Sequence, residues 1–162
     1  MNISVTKTHN YFFIRLLLPA TIVLFSGCAS VPEIKPAHQS HSPIITYALS
    51  LQGVPYHYGK DSPEDGFDCS GFVKHVYEKQ GITLPRTVKD MALSLPQIPK
   101  NDVHSGDLVF FNTNGKSLSH VGIYVNDDKF VHAPSQRTGR VLVSSLKNGY
   151  WQKHYIGVRR PR

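Results

Sequence analysis

Asp68-Cys69-Ser70-Gly71-Phe72-Val73-Lys74-His75-Val76-Tyr77 reads as the start of a helix with a thiol in its first turn. Phe72, Val73, Val76 and Tyr77 recur at helical spacing and share one face, while Lys74, Glu78 and Lys79 point away. Asp68 is placed to cap this helix and Gly81 to end it. A thiol in that position is expected to ionise readily, because unpaired backbone N–H groups and the helix dipole both favour negative charge. A lone Cys in an apolar helix is more often a small core residue. Here the preceding Asp and the following Ser-Gly are poor core neighbours. Downstream, Ser119-His120-Val121-Gly122-Ile123-Tyr124 and Phe130-Val131-His132-Ala133 each carry a histidine. One imidazole to take the thiol proton and a second group to hold its tautomer would complete a nucleophilic site.

Upstream, Ser42 and Pro43 open a short helix whose apolar face is Ile44, Ile45, Ala48 and Leu49, stopped by Gly53. Val54 to Gly59 is extended, and residues 60–67 form a Pro/Gly/Asp loop. Thr87 caps a third helix running to Leu95, between Pro85 and Pro96. After Pro99 the texture changes to β-branched and aromatic runs: Leu108 to Phe111, Val121 to Val125, Lys129 to His132, Arg140 to Val143 and Tyr155 to Val158. Asn/Gly/Asp turns separate them. Helices first and strands afterwards, with short connections, predict an α+β domain: N-terminal helices on a five- to six-stranded antiparallel sheet.

Strand parity sharpens the expectation for the histidines. A two-residue turn at Asp127-Asp128 would put His132 on the face away from His120. A three-residue loop, 126–128, would pair Val125 with Lys129. His132 would then lie opposite Gly122, on the face of His120. An odd-numbered loop or a bulge is therefore predicted, against the usual preference for two-residue hairpins.

The N-terminus points to export. Residues 1–27 carry Lys7 and Arg15 and no acid, and Leu16 to Phe25 is an apolar run broken by Pro19. That run falls short of the roughly 20 residues a spanning helix needs, and suits a secretory signal. Leu24-Phe25-Ser26-Gly27-Cys28 resembles a bacterial lipobox, in which the Cys is lipidated; Phe25 stands where Leu is usual. The reading is a lipoprotein signal over 1–27, acylated Cys28 with a Pro-rich tether over 28–43, and a catalytic domain over 44–162. Cys28 and Cys69 are the two cysteines, so acylation of Cys28 leaves Cys69 as the mature chain's thiol. Formal charge is +7; without Lys7 and Arg15 it is about +5, a surface that favours anionic partners. The export signal, and no Lys/Arg run longer than Arg159-Arg160, count against nucleic acid.

Taken together, Pro55-Tyr56-His57-Tyr58-Gly59, Asp68 to Val73, Leu84-Pro85-Arg86, Gly106-Asp107-Leu108-Val109-Phe110-Phe111, His120 to Tyr124 and Phe130 to Ala133 resemble the NlpC-type cell-wall peptidases. These are papain-like cysteine peptidases. Tyr150-Trp151-Gln152-Lys153 resembles the lipoprotein after which they are named. Lys60 departs from the pattern, since a second Gly is common there. The resemblance implies hydrolysis of amide bonds in peptidoglycan stem peptides, at bonds involving D-configured residues, through a thioester. It implies Cys69 as nucleophile, His120 as base and then acid, and His132 as the orienting residue. Tyr56 would flank the thiol, the Cys69 N–H would bind the oxyanion, and Asp68 and Ser70 would contact substrate. No cofactor is implied. Ala29 after Cys28 implies an outer-membrane anchor facing the periplasm. An adaptor or regulatory protease as partner is left open.

Three other readings fit the same residues. Cys69, His120 and His132 could be zinc ligands, although paired ligand spacings are missing. The chain could be a wall-binding lipoprotein without activity. A thioester could also pass its acyl group to another acceptor, making an acyltransferase or an amidase on another substrate.

Overall fold

The computed structural model describes residues 42–115 and 118–162. The signal segment, Cys28 and the tether as far as residue 41 lie outside the described residues. Helices α1 (Pro43–Ser50), α2 (Cys69–Glu78) and α3 (Val88–Ser94) come first, with a ribbon of β1 (Asp61–Ser62) and β2 (Gly66–Phe67) ahead of α2. Strands β3 (Gln97–Ile98), β4 (Leu108–Phe111), β5 (His120–Tyr124), β6 (Lys129–His132) and β7 (Leu142–Ser145) follow, then helix α4 (Gly149–His154) and strand β8 (Tyr155–Arg159). The main sheet has six strands in the order β3-β8-β4-β5-β6-β7, and every neighbouring pair is antiparallel. This is the expected α+β arrangement.

The expected caps are in use. Asp68 Oδ1 accepts the Gly71 N–H at 2.7 Å, and Thr87 Oγ1 accepts the Asp90 N–H at 3.2 Å. Each satisfies a backbone donor the helix itself cannot pair, worth about 1 kcal/mol. Ser42 caps α1 more loosely, at 3.5 Å from the Ile45 nitrogen. Four details differ from the sequence reading. The 60–67 loop contains the β1–β2 ribbon. The sheet gains a sixth, two-residue strand, β3. The run from Arg140 enters the sheet only at Leu142, because Arg140 bridges to Pro55 instead. Helix α4 was not anticipated: six residues make under two turns, too few for a periodicity to show.

Alternation along the strands divides two apolar clusters. Leu108, Phe110, Val121, Ile123, Val125 and Val131 face the three N-terminal helices and meet Ile45, Phe72, Val73, Val76 and Met91. Val109, Phe111, Phe130 and Val158 face the other way, where Trp151 and Tyr155 cover them. The helix carrying Cys69 is thus on one side of the sheet and α4 on the other.

The β5–β6 hairpin has the three-residue loop that parity demanded. Ile123 pairs with Val131 and Tyr124 with Phe130, and Val125 N–H donates to the Lys129 carbonyl at 2.8 Å. Asp127 and Asp128 take φ of 47° and 58°, the left-handed region that Asp enters more readily than most residues. His132 falls opposite Gly122. A Cβ on Gly122 would sit 2.7 Å from Phe130 Cδ2 and 3.1 Å from His132 Cβ. Gly122→Ala is therefore expected to cost about 1–3 kcal/mol through overpacking, and to push His132 off line. Thermal unfolding and hydrolysis rates of the variant check both parts; unchanged values would show the hairpin yields freely.

Candidate active site

Cys69, the first residue of α2, lies in the wall of a cleft of about 750 Å³ that also includes Tyr56, Asp68, Ser70, Arg86 and His120. The sulfur arrives from the helical layer. His120 begins β5 and its ring lies on the opposite face, against Phe111 and Trp151. The two meet because the beginning of β5 reaches the start of α2, so that both residues line the same cleft.

His120 and His132 are buried, at 2% and 0% exposure. His120 Nε2 and His132 Nδ1 are 2.8 Å apart, with the rings edge to face. His132 stands behind His120, and its Nε2 lies 2.9 Å from Ser144 Oγ on β7. Trp151 stacks on His120 with centroids 5.3 Å apart and meets His132 edge-on at 4.8 Å. Phe111 and Phe130 complete an apolar box around the pair. With Nε2 committed to His132, Nδ1 is the His120 nitrogen left for the cleft.

This burial sets the protonation states. Desolvation drives the His120 pKa down to about 3. His132 is held well below 6.5 by burial and then by its histidine neighbour. The Cys69 thiol is pushed up to about 11, first by burial and then by the Asp68 carboxylate. N–H groups of Val121, Ser70 and Cys69 itself pull the other way and lose. The expectation of a readily ionised thiol is thereby corrected: the helix N-terminus contributes as anticipated, but desolvation of the sulfur outweighs it. Burial thus favours the neutral form of both the thiol and the imidazole. Tyr56 is also raised, by burial first and then by Cys69, Asp68 and Tyr58, so its phenol remains a proton donor beside the sulfur.

Asp68 and Ser70 lie in the cleft wall, already engaged. Arg86 spans both Asp68 oxygens, with Nη1 to Oδ1 at 3.0 Å and Nη2 to Oδ2 at 2.7 Å, and Nη1 also donates to Ser70 Oγ at 2.9 Å. The Gly59 N–H donates to Asp68 Oδ2 at 2.9 Å. Asp68 therefore ties the 58–60 loop and Arg86 to the helix that presents Cys69. Arg86 stood in the sequence motif without a role. A buried acidic cap needs a cation, but the chain carries 18 Lys and Arg, and only the fold selects this one. Trp151 and Ser144 were likewise not legible as site residues. Among the described residues no three His, Cys, Asp or Glu side chains converge as metal ligands.

The NlpC/P60 family profile matches residues 53–160. The chain is 44% identical over 157 residues to a Haemophilus influenzae protein named "Probable endopeptidase", covering 90% of this chain and 95% of that one. It is 38% identical over 133 residues to the bifunctional muramidase/DL-endopeptidase CwlT of Bacillus subtilis, covering 81% of this chain and 40% of the relative. Several relatives are thus much longer proteins, of which this chain spans less than half. The crystal structure of an NlpC/P60 family protein from Bacillus cereus superposes with a TM-score of 0.69 at 30% identity, over 74% of this chain and 39% of that one. The chain belongs to the NlpC/P60 family.

Proposed function

We propose that this chain is a cysteine peptidase that hydrolyses amide bonds in peptidoglycan stem peptides. One observation carries the reading: Cys69 and His120 share a cleft wall while His132 holds Nε2 of His120 at 2.8 Å, leaving Nδ1 to act as base. Relatives named as murein and peptidoglycan endopeptidases supply the substrate class.

On this reading the thiol proton passes to His120 Nδ1 as the sulfur attacks the scissile carbonyl. Base catalysis during attack, rather than a standing thiolate, follows from the neutral resting pair. The oxyanion is held by the Cys69 backbone N–H at the helix start and by the Tyr56 phenol. The imidazolium that forms is stabilised by His132 and by the face of Trp151. It then protonates the departing amine. Water, deprotonated by the same nitrogen, hydrolyses the thioester and restores the thiol. Asp68 and Ser70, oriented by Arg86, form the polar wall that meets the substrate's charged groups.

Mass spectrometry of defined muropeptides after incubation tests the proposal. Appearance of two fragments whose masses sum to substrate plus water supports hydrolysis. Intact muropeptide with retained binding would favour a wall-binding role, and a product joined to a second amine would favour acyl transfer.

We further propose export through the 1–27 signal and anchoring of acylated Cys28 in the outer membrane, facing the periplasm. The lipobox-like stretch and Ala29 support this, and several acyl chains hold far more firmly than one. Membrane fractionation of a Gram-negative host is expected to recover the protein with outer membranes, and Cys28→Ala with the soluble periplasm or as unprocessed precursor. Wild-type protein in the soluble fraction would refute the anchor.

A further inference from the structure

The catalytic pair does not end at His132. His120 Nε2, His132 Nδ1, His132 Nε2 and Ser144 Oγ form a continuous chain with links of 2.8 and 2.9 Å. Both rings are buried, which favours the neutral imidazole with one ring proton each. Such a chain has only two self-consistent polarities. In the first, Ser144 accepts from His132 Nε2–H, His132 Nδ1 accepts from His120 Nε2–H, and His120 Nδ1 is bare toward the cleft. In the second, Ser144 donates to His132 Nε2, His132 Nδ1–H donates to His120 Nε2, and the remaining proton sits on His120 Nδ1. Only the first leaves His120 able to accept a proton from Cys69.

We propose that Ser144 is a positioning residue that selects the catalytic tautomer of His120 through His132, resting on the reading of His120 as the base. Ser144 sits on β7, paired with Phe130, so its hydroxyl reaches His132 across the strand pair. It is half-buried on the last strand of the sheet, where its own proton can be given to solvent. That makes it the accepting end of the chain. At the opposite end His120 lines the cleft that also holds Cys69, and only the first polarity turns a bare nitrogen toward it. Without an acceptor at 144, a buried His132 Nε2–H would be unpaired, and the chain would be expected to reverse.

The Ser144→Thr and Ser144→Val pair tests this at nearly constant shape, and both side chains suit a strand. Nitrogen-15 NMR of histidine-labelled protein reads the tautomers directly. Wild type and Ser144→Thr are expected to hold His120 and His132 as Nε2–H. Ser144→Val is expected to shift both toward Nδ1–H and to lose about tenfold or more in kcat, with KM and the thermal midpoint near those of Ser144→Thr. Wild-type Nδ1–H on His132, or Ser144→Val matching Ser144→Thr in both tautomer and kcat, would overturn the proposal. The tautomer measurement needs no substrate, so it decides Ser144 even if muropeptide digestion were to fail and remove the peptidase reading itself.

Discussion

Cys69→Ala is expected to reduce muropeptide hydrolysis by about 10⁴- to 10⁶-fold, the scale on which nucleophile loss acts in enzymes with a covalent intermediate. Among the described residues Cys69 is the one thiol, and the neighbouring Ser70 hydroxyl is held by Arg86 and is a far weaker nucleophile. Stability should move little, by about 0.5 kcal/mol or less. Cys69 is half-buried, and the substitution deletes a single atom whose ionised form the site does not favour at rest. Asp68, Ser70 and Arg86 keep their mutual bonds in the variant, so muropeptide binding should persist. The measurement is turnover by mass spectrometry alongside calorimetric binding and thermal unfolding. Near-wild-type turnover in a folded Cys69→Ala protein would end the peptidase reading.

Acid should unfold the domain through its active-site histidines. Burial lowers the His120 pKa to about 3 and holds that of His132 well below 6.5, whereas in the unfolded chain both titrate near 6.5. Between those values the unfolded state binds more protons than the folded one. Stability is therefore fully present above about pH 6.5 and is lost as pH falls, with a limiting slope of about 1.4 kcal/mol per pH unit for each histidine. By pH 4.5 His120 alone would cost about 3 kcal/mol, a large share of the stability of many domains, and His132 adds to the loss in the same direction. His75, lowered by partial burial and by Lys79, acts in the same direction on a smaller scale. Urea titrations from pH 7.5 to 4.5 would measure the slope. His132→Gln should reduce it whatever its effect at neutral pH. A stability independent of pH over that range would mean the pair accepts a proton in the folded state.

Several features of the site follow from local chemistry and are readable along the chain. Asp68 caps α2, and Phe72, Val73, Val76 and Tyr77 form its buried face, because capping and helical periodicity are properties of contiguous residues. The hairpin register is of the same kind. Once His120 and His132 are required on one face, parity admits an odd loop, and three residues make it. The protonation of Cys69 was misread on this basis. A helix start is visible in sequence, but the desolvation that pushes the thiol pKa up is not.

By itself, then, the sequence determined the order of the first three helices and the five longer strands, the position of the thiol at a helix start, the shared face of the two histidines and the family to which the chain belongs. Each rests on spacing between neighbours or on motifs in order. Only the tertiary structure decided that Arg86 clasps Asp68, that Trp151 from a six-residue helix roofs the histidines, and that Ser144 ends their hydrogen-bond chain. Those contacts join residues 12 to 31 positions apart along the chain. No local signal encodes them, because each partner is selected by which side of the sheet and which strand end the chain returns to. The same return path removes water from both imidazoles, and that enclosure sets their charge.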